Sequence, residues 1–277
     1  MKSYLIPILI ILLAACQKEP GLKPPAPFEK PYQLPQGNAP VDATIMTIYN
    51  QYGCYVLYRF TQEDYAYDYS YVSKDTAFPA NPKYIDTALN FFRQQLMAVY
   101  PESFLRNTMP YKILLASHIN NWTTGSVSSR NKDGFDSNRS TLTLGWADSA
   151  LVLKTPAETR KLRGLMHCYY WERAYKVGRI EVPPAFIASA PIYAQVNSAN
   201  RYANGVVSNE YGLALNLGYD LIAYVSMITG NSLQELEASY FLPSVDSKGL
   251  IRKRYNYIVD YYKNEFGIDL QAIGNLQ

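Results

Sequence analysis

One long helix near the middle of the chain is the strongest constraint on how this sequence folds. The segment Thr155-Pro156-Ala157-Glu158 has the pattern of a helix start, with Thr as the N-cap, Pro in the first turn and Glu three residues after the cap. The helix is predicted to run to about Val177 and to end at Gly178. Its apolar and small residues form two stripes: Leu162, Met166 and Tyr169 on one, and Gly164, His167, Trp171 and Ala174 on the other. A helix that is apolar on two sides usually packs at the centre of a fold.

The rest of the hydrophobic pattern predicts a single α+β domain with its strands in the first half. Strands are predicted at 54–60, 111–116 and 140–146, and helices at 41–52, 82–100, 213–229, from 232 onward and 250–266. The strand at 140–146 alternates apolar and polar residues, which is typical of a half-buried strand. Polar loops are predicted at 61–81, 120–139 and 195–210. With 48% hydrophobic and 18% charged residues, the chain has enough apolar material for a full core.

The N-terminus has the pattern of an export signal. Lys2 precedes an apolar run from Tyr4 to Ala15, which is shorter than the roughly 20 residues that a membrane span needs. Residues 1–15 are therefore predicted to be a signal peptide. The run closes with Leu13-Ala14-Ala15-Cys16, which resembles the lipobox of bacterial lipoproteins, so a lipid on Cys16 is expected to anchor the chain to a membrane. A plain secretory signal with an incidental Cys16 is the alternative.

Residues 16–40 are predicted to be an extended tether that precedes a domain at 41–277. Proline fixes φ and removes a hydrogen-bond donor, which disfavours regular structure there. The prolines are Pro20, Pro24, Pro25, Pro27, Pro31, Pro35 and Pro40. The formal net charge is only +3, without a dense basic run, which argues against a nucleic-acid partner. Cys54 and Cys168 could pair in an oxidising compartment, but their positions in the sequence leave this open.

The order of these elements resembles a known family. The most specific pieces are Ser140–Gly145 before the central helix and the tail at 249–254, 258–261 and 266–270. They are similar to the zinc-binding metallopeptidase lipoproteins, zincin-like proteins often associated with outer-membrane glycan-uptake systems. The similarity covers most of residues 41–277. It implies a zincin-like α+β domain, held by the lipid on Cys16 at the outer membrane, on its periplasmic or surface face.

The family motif on the central helix is degenerate in this chain. In the family that helix carries His-Glu-x-x-His, with two zinc ligands on one face and a Glu as general base. The resemblance places His167 at the first ligand, Cys168 at the base and Trp171 at the second ligand. Indole has an N–H donor and no lone pair for a metal, and Glu172 lies about 140° around the helix from His167. We therefore expect no catalytic residue and no metal ligand set here.

An atypical zinc site is the alternative. The family's further ligand should come from the region of Asp220, although Ala223 occupies a carboxylate position. His167, Cys168 and a carboxylate from Asp220 or Glu210 would supply suitable atoms. However, neighbouring residues on a helix diverge by about 100°, so His167 and Cys168 should not converge on one ion.

Cys168 also permits a thiol–imidazole hypothesis. A nucleophilic cysteine needs a base within hydrogen-bond reach, and His118 is the candidate from elsewhere in the chain. The alternative is that Cys168 is an inert buried residue. In the same way His167 can be a buried helix residue with one satisfied nitrogen, packed beside Trp171.

Three functions remain open from the sequence. The first is a metallopeptidase-like protein that has lost catalysis and binds a peptide or glycan at the old cleft, without a cofactor. The second is an active zinc peptidase with an atypical ligand set. The third is an accessory protein of an outer-membrane glycan-uptake complex, with exposed tyrosines and Trp122, Trp146 or Trp171 as sugar platforms.

Overall fold

The computed structural model describes residues 31–68, 75–120, 134–209, 212–213 and 215–276. From Leu34 onward the chain forms one compact unit, and the Leu34 side chain packs against the core. The unit therefore includes the last part of the segment that the sequence assigns to the tether. The predicted signal peptide, Cys16, Trp122 and Glu210 lie outside the described residues.

A small mixed sheet occupies the first half of this unit. Its strands are β1 (Tyr55–Leu57), β2 (Thr76–Pro79), β3 (Lys112–Asn120), β4 (Phe135–Ser137) and β5 (Thr141–Leu144). Strand β3 runs through the middle, parallel to β1 and β5 and antiparallel to β2, while β4 pairs antiparallel with β5. The strand order β1-β3-β5-β4 thus places two of the predicted strands beside the third.

The prediction that the 140–146 strand is half-buried was wrong. All four residues of β5 are buried, including Thr141 and Thr143 at 1% exposure each. The alternation of apolar and polar residues predicts a strand with one solvent-exposed face. Because β5 lies between β3 and β4, and both of its faces are covered, the threonines are buried as well as the leucines.

Eleven α-helices are assigned within the described residues, most of them after the sheet. They are α1 (Pro40–Tyr52), α2 (Gln62–Ala66), α3 (Ile85–Gln95), α4 (Glu102–Thr108), α5 (Ser149–Val152), α6 (Pro156–Lys176), α7 (Pro184–Ala188), α8 (Leu217–Thr229), α9 (Leu233–Glu237), α10 (Leu250–Phe266) and α11 (Leu270–Gly274). Short 3₁₀ helices cover Pro82–Tyr84, Met97–Val99, Tyr193–Gln195 and Tyr202–Asn204, and β6 (Ser208–Asn209) pairs antiparallel with β7 (Gly212–Leu213). None of the described helices has the length and apolar character needed to cross a membrane.

The central helix is α6, as the sequence predicts. Its capping box is present, because Thr155 Oγ1 accepts from the Glu158 amide at 3.3 Å and Glu158 Oε2 accepts from the Thr155 amide at 2.8 Å. Helix α6 packs against α8 at very close range. A Cβ added at Gly164 would lie 2.6 Å from the Gly230 Cα, so the two backbones approach this closely only because both positions are glycine.

Many of the 26 tyrosines are buried with a hydrogen-bond partner. Tyr170 Oη lies 2.6 Å from Thr108 Oγ1, which itself donates to a backbone carbonyl, so the tyrosine is the donor. Tyr224 Oη donates to the Gly205 carbonyl at 2.8 Å. A buried hydroxyl without a partner would be costly, so these pairs allow the aromatic rings to fill the core.

Candidate active site on the central helix

His167 and Trp171, which the family resemblance aligns with two metal-ligand positions, both bond to a single atom. His167 and Trp171 are separated by one turn of α6, and both are fully buried. The Tyr100 hydroxyl lies 2.5 Å from His167 Nδ1 and 2.6 Å from Trp171 Nε1. Tyr100 directly follows the 3₁₀ turn Met97–Val99, which comes after α3. A tyrosine hydroxyl therefore stands where this pair of side chains converges.

The hydrogen bonds have a determined direction. His167 Nε2 lies 2.9 Å from the Gln95 carbonyl oxygen. A carbonyl only accepts, so Nε2 carries the proton and Nδ1 carries the lone pair. Tyr100 therefore donates to His167, and Trp171 donates to Tyr100. The sequence interpretation of one satisfied nitrogen on His167 was incomplete, since both nitrogens have partners.

Burial keeps these groups neutral. It lowers the pKa of His167 from 6.5 to about 3, the nearby Arg163 lowers it further, and the bond to the Gln95 carbonyl acts in the opposite direction. Burial also raises the pKa of the Tyr100 hydroxyl well above its usual value. The proton positions of the network are therefore stable across the physiological pH range.

A buried cation lies one turn before His167. The Arg163 guanidinium is fully buried and donates only to neutral oxygens: Gln95 Oε1 at 2.9 Å and the carbonyls of Leu276 at 2.8 Å, Thr229 at 3.2 Å and Gly274 at 3.3 Å. Burial lowers its pKa to about 10, so the side chain stays charged at neutral pH. A fixed positive charge here repels a second cation.

The residues present do not fit a zinc ion. The one lone pair of His167 already accepts from Tyr100, and Trp171 offers only an N–H. Glu172 is paired with Lys176 at 2.7 Å, in the next turn of the same helix. Catalytic zinc needs about three protein ligands and an open position. Across the described ranges, no group of three His, Cys, Asp or Glu side chains is arranged to hold a metal.

The buried cysteines do not form an accessible nucleophile. Cys168 is fully buried, whereas a nucleophile must reach its substrate. Cys54 is fully buried too, and burial raises the pKa of its thiol. The two sulfurs are not joined in a disulfide. His118, the proposed base, is half-exposed on β3, with its ring stacked on Phe78 at 4.4 Å and its Nδ1 3.1 Å from Ser117 Oγ.

The downstream carboxylate is committed to a different partner. Asp220 lies in the first turn of α8, and its Oδ2 forms an ion pair with Arg254 at 2.7 Å, both side chains being fully buried. The same oxygen accepts from the Tyr193 hydroxyl at 2.8 Å. Burial raises the pKa of Asp220 to about 6, while Arg254 acts to lower it. Ala223 is also buried and has no side-chain donor atom.

This ion pair was missed at the sequence level. Asp220 and Arg254 lie on α8 and α10, and no local pattern links them. Their full burial leaves Asp220 Oδ1 and Arg254 Nε and Nη2 without a hydrogen-bond partner. The pair is therefore costly and sensitive to the loss of either partner.

The tryptophans are not exposed sugar platforms, so that prediction was wrong for the two described ones. Trp171 is fully buried. Trp146 is 9% exposed, and the Lys154 ammonium lies 4.4 Å from the centre of its ring. Gly134 packs so closely on the Trp146 indole that a Cβ there would lie 2.0 Å from its nitrogen.

Comparison with known proteins supports the fold. No family model matches the chain, and no curated protein matches it. The structure is similar to a crystal structure described as a putative zinc-binding metallo-peptidase from Bacteroides caccae, with a TM-score of 0.54 and 15% sequence identity. The match covers 83% of this chain and 86% of that one. It confirms the predicted α+β, metallopeptidase-like fold, and at this identity it shows the fold alone.

Proposed function

We propose that this metallopeptidase-like fold serves a binding or accessory role and does not hydrolyse peptides with zinc. The observation that carries the proposal is the hydrogen-bond chain from Trp171 through Tyr100 to His167. It uses the lone pair that a metal would need. The Tyr100 hydroxyl also occupies the space between the His167 and Trp171 side chains, which lie four residues apart on α6.

Binding a metal at His167 would break hydrogen bonds, and it would still leave the metal with too few protein ligands. The Tyr100 hydroxyl would have to leave His167 Nδ1, which would leave buried polar groups unpaired at about 1–3 kcal/mol each. The metal would then have one protein ligand beside the buried Arg163 charge. The base position holds the buried thiol of Cys168. Since catalytic residues act as a unit, loss of the base and a ligand together should abolish hydrolysis.

The test is the metal content of purified residues 17–277, expressed with zinc present and measured by elemental mass spectrometry. We expect no stoichiometric zinc and no chelator-sensitive cleavage of peptide substrates. A stoichiometric zinc that is lost in His167→Ala would overturn the proposal. That result would support the alternative of a zinc peptidase with an atypical ligand set.

The proposal includes a lipid anchor at Cys16, placing the chain at the outer membrane on its periplasmic or surface face. Its support is the Leu13–Cys16 pattern after a short apolar run. Metabolic labelling with radioactive palmitate should mark the full-length chain. A Cys16→Ser chain should stay unlabelled, and equal labelling of both would contradict the anchor.

A glycan ligand is the second candidate, as expected for an accessory protein of a glycan-uptake complex. Two tyrosine side chains favour it, because Tyr67 is 59% exposed, even with the Lys112 ammonium 4.6 Å from its ring centre, and Tyr111 is 40% exposed. Aromatic rings on a surface can stack on sugars. A glycan array should then show binding that falls in Tyr67→Ala and Tyr111→Ala. No binding on the array would count against this candidate.

A further inference from the structure

A cleft lies between α1 and the segment formed by α3 and the following 3₁₀ turn, with a volume of about 420 Å³. The residues that line it are Thr44, Thr47, Ile48, Gln51 and Tyr52 on one side and Asn90, Arg93, Gln94, Met97 and Ala98 on the other. The first set follows the spacing i, i+3, i+4, i+7, i+8 and forms one stripe of α1. The second set combines three residues of α3 with Met97 and Ala98 of the 3₁₀ turn. The two sets face each other across the cleft.

The floor of the cleft is aliphatic and its walls are polar and mostly neutral. Ile48 is 3% exposed, and Met97 is half-buried against the core. The polar lining residues supply hydroxyl and amide groups, which can donate and accept. No carboxylate belongs to the described lining. The cleft can therefore hold an apolar group on its floor, while its walls form hydrogen bonds with the rest of the ligand.

Arg93 is the one charged group in this lining. Its side chain is exposed, and among the described residues it has no ion pair or hydrogen bond. Neither Asp86, which accepts from Asn90 at 3.3 Å, nor Glu102, which pairs with Arg106 at 2.5 Å, forms an ion pair with Arg93. The Arg93 guanidinium can therefore bind an anion, and its planar donors match a carboxylate in particular.

We propose that this cleft binds the C-terminal end of a peptide. The terminal carboxylate pairs with Arg93, an aliphatic terminal side chain rests on Ile48 and Met97, and the Thr44 and Gln94 side chains bond to the peptide backbone. Capture of a chain terminus by its carboxylate is a recurring mode of peptide recognition. A volume of about 420 Å³ is near the small end of the roughly 300–1,000 Å³ range of ligand sites, which suits a chain end better than a folded partner.

The lining favours a peptide over an acidic sugar. Sugar rings stack on flat aromatic faces, whereas the floor here consists of a branched aliphatic residue and a thioether. Tyr52 is the aromatic member of the lining, and the Arg106 guanidinium already lies 5.9 Å from its ring centre. A branched aliphatic side chain would bury more apolar surface against Ile48 and Met97 than a sugar ring would.

This inference rests on the binding role in the proposed function, but it uses none of the residues around Tyr100. The probe is a fluorescein-labelled Ala-Ala-Ala-Leu peptide with a terminal carboxylate, titrated against residues 17–277 by fluorescence anisotropy. The same peptide with a terminal amide should bind about tenfold more weakly or worse, because a charge-assisted hydrogen bond is lost. Arg93→Gln should cause a similar loss, and Arg93→Lys a smaller one. The matched control is Arg179→Gln, an exposed arginine outside the cleft, which should bind like the wild type.

Equal affinity for the acid and amide peptides, or no binding of either, would overturn the inference. Arg93-dependent binding of an oligogalacturonate in place of the peptide would also overturn it, and would assign the cleft to an acidic carbohydrate. Zinc measured in the same preparation separates the two proposals. Cleavage of the probe with bound zinc would refute the loss of catalysis, whereas a zinc-free protein that ignores the probe would refute only the assignment of the cleft.

Discussion

The replacement Tyr100→Phe removes the hydroxyl that joins His167 and Trp171. The phenyl ring remains, so the contact with Phe104 at 4.9 Å between ring centres is kept. The loss is confined to two hydrogen bonds, and it leaves His167 Nδ1 and the Trp171 N–H buried without a partner. Each orphaned group costs about 1–3 kcal/mol, so we expect the free energy of unfolding to fall by roughly 2–6 kcal/mol.

Such a loss is easily measured. Whole domains have about 5–15 kcal/mol of stability, so this variant gives up a large share. A loss of about 3 kcal/mol should lower Tm by about 6–12 °C in a domain of this size. Urea unfolding followed by circular dichroism should show a lower midpoint with an unchanged slope. The variant should still bind no stoichiometric zinc, because Trp171 has no lone pair.

The matched control is Tyr261→Phe. That hydroxyl donates to Glu181 at 3.0 Å near the surface, where water can replace it. Its loss should cost no more than about 0.5 kcal/mol. If Tyr100→Phe were as stable as this control, the Tyr100 hydroxyl would not be the needed partner of the buried His167 and Trp171 nitrogens. The main support for the proposed function would then be lost.

Three further predictions concern the same core. Burial lowers the pKa of His167 from 6.5 to about 3, so between these pH values the unfolded state binds more protons than the folded state. The free energy of unfolding should therefore fall as the pH falls from 6.5 to 3. Urea titrations at several pH values should show a smaller fall for His167→Gln than for the wild type. Asp220→Asn or Arg254→Met alone should each cost about 3–5 kcal/mol, and the double variant less than their sum, as a double-mutant cycle would show. Gly164→Ala places a Cβ 2.6 Å from the Gly230 Cα, so differential scanning calorimetry should show a loss of about 1–3 kcal/mol.

Local patterns predicted the longer elements well. The capping box at Thr155, the glycine after Phe266 and the 3–4 spacing of the C-terminal helix each fix an element without outside help, and α6 and α10 lie where these patterns place them. Short elements were missed: α2 and β2 within a predicted loop, β4 within another, and α4 between two predicted elements. Three to seven residues are too few for a period to show, and packing against neighbours decides whether they form.

The sequence alone determined that the central helix has no histidine four residues after His167 and no glutamate directly after it, since this is a matter of residue type at fixed spacing. It also determined that the helix is buried, from its two apolar stripes. Only the tertiary structure decided which groups bond to His167 and Trp171. Tyr100 and Gln95 approach His167 from a distant stretch of chain, and Asp220 is paired with Arg254 by the packing of α8 and α10. The physical reason is that the periodicity of side chains along one helix depends only on nearby residues. The hydrogen-bond partner of a buried polar group depends on which distant segment the fold brings close to it.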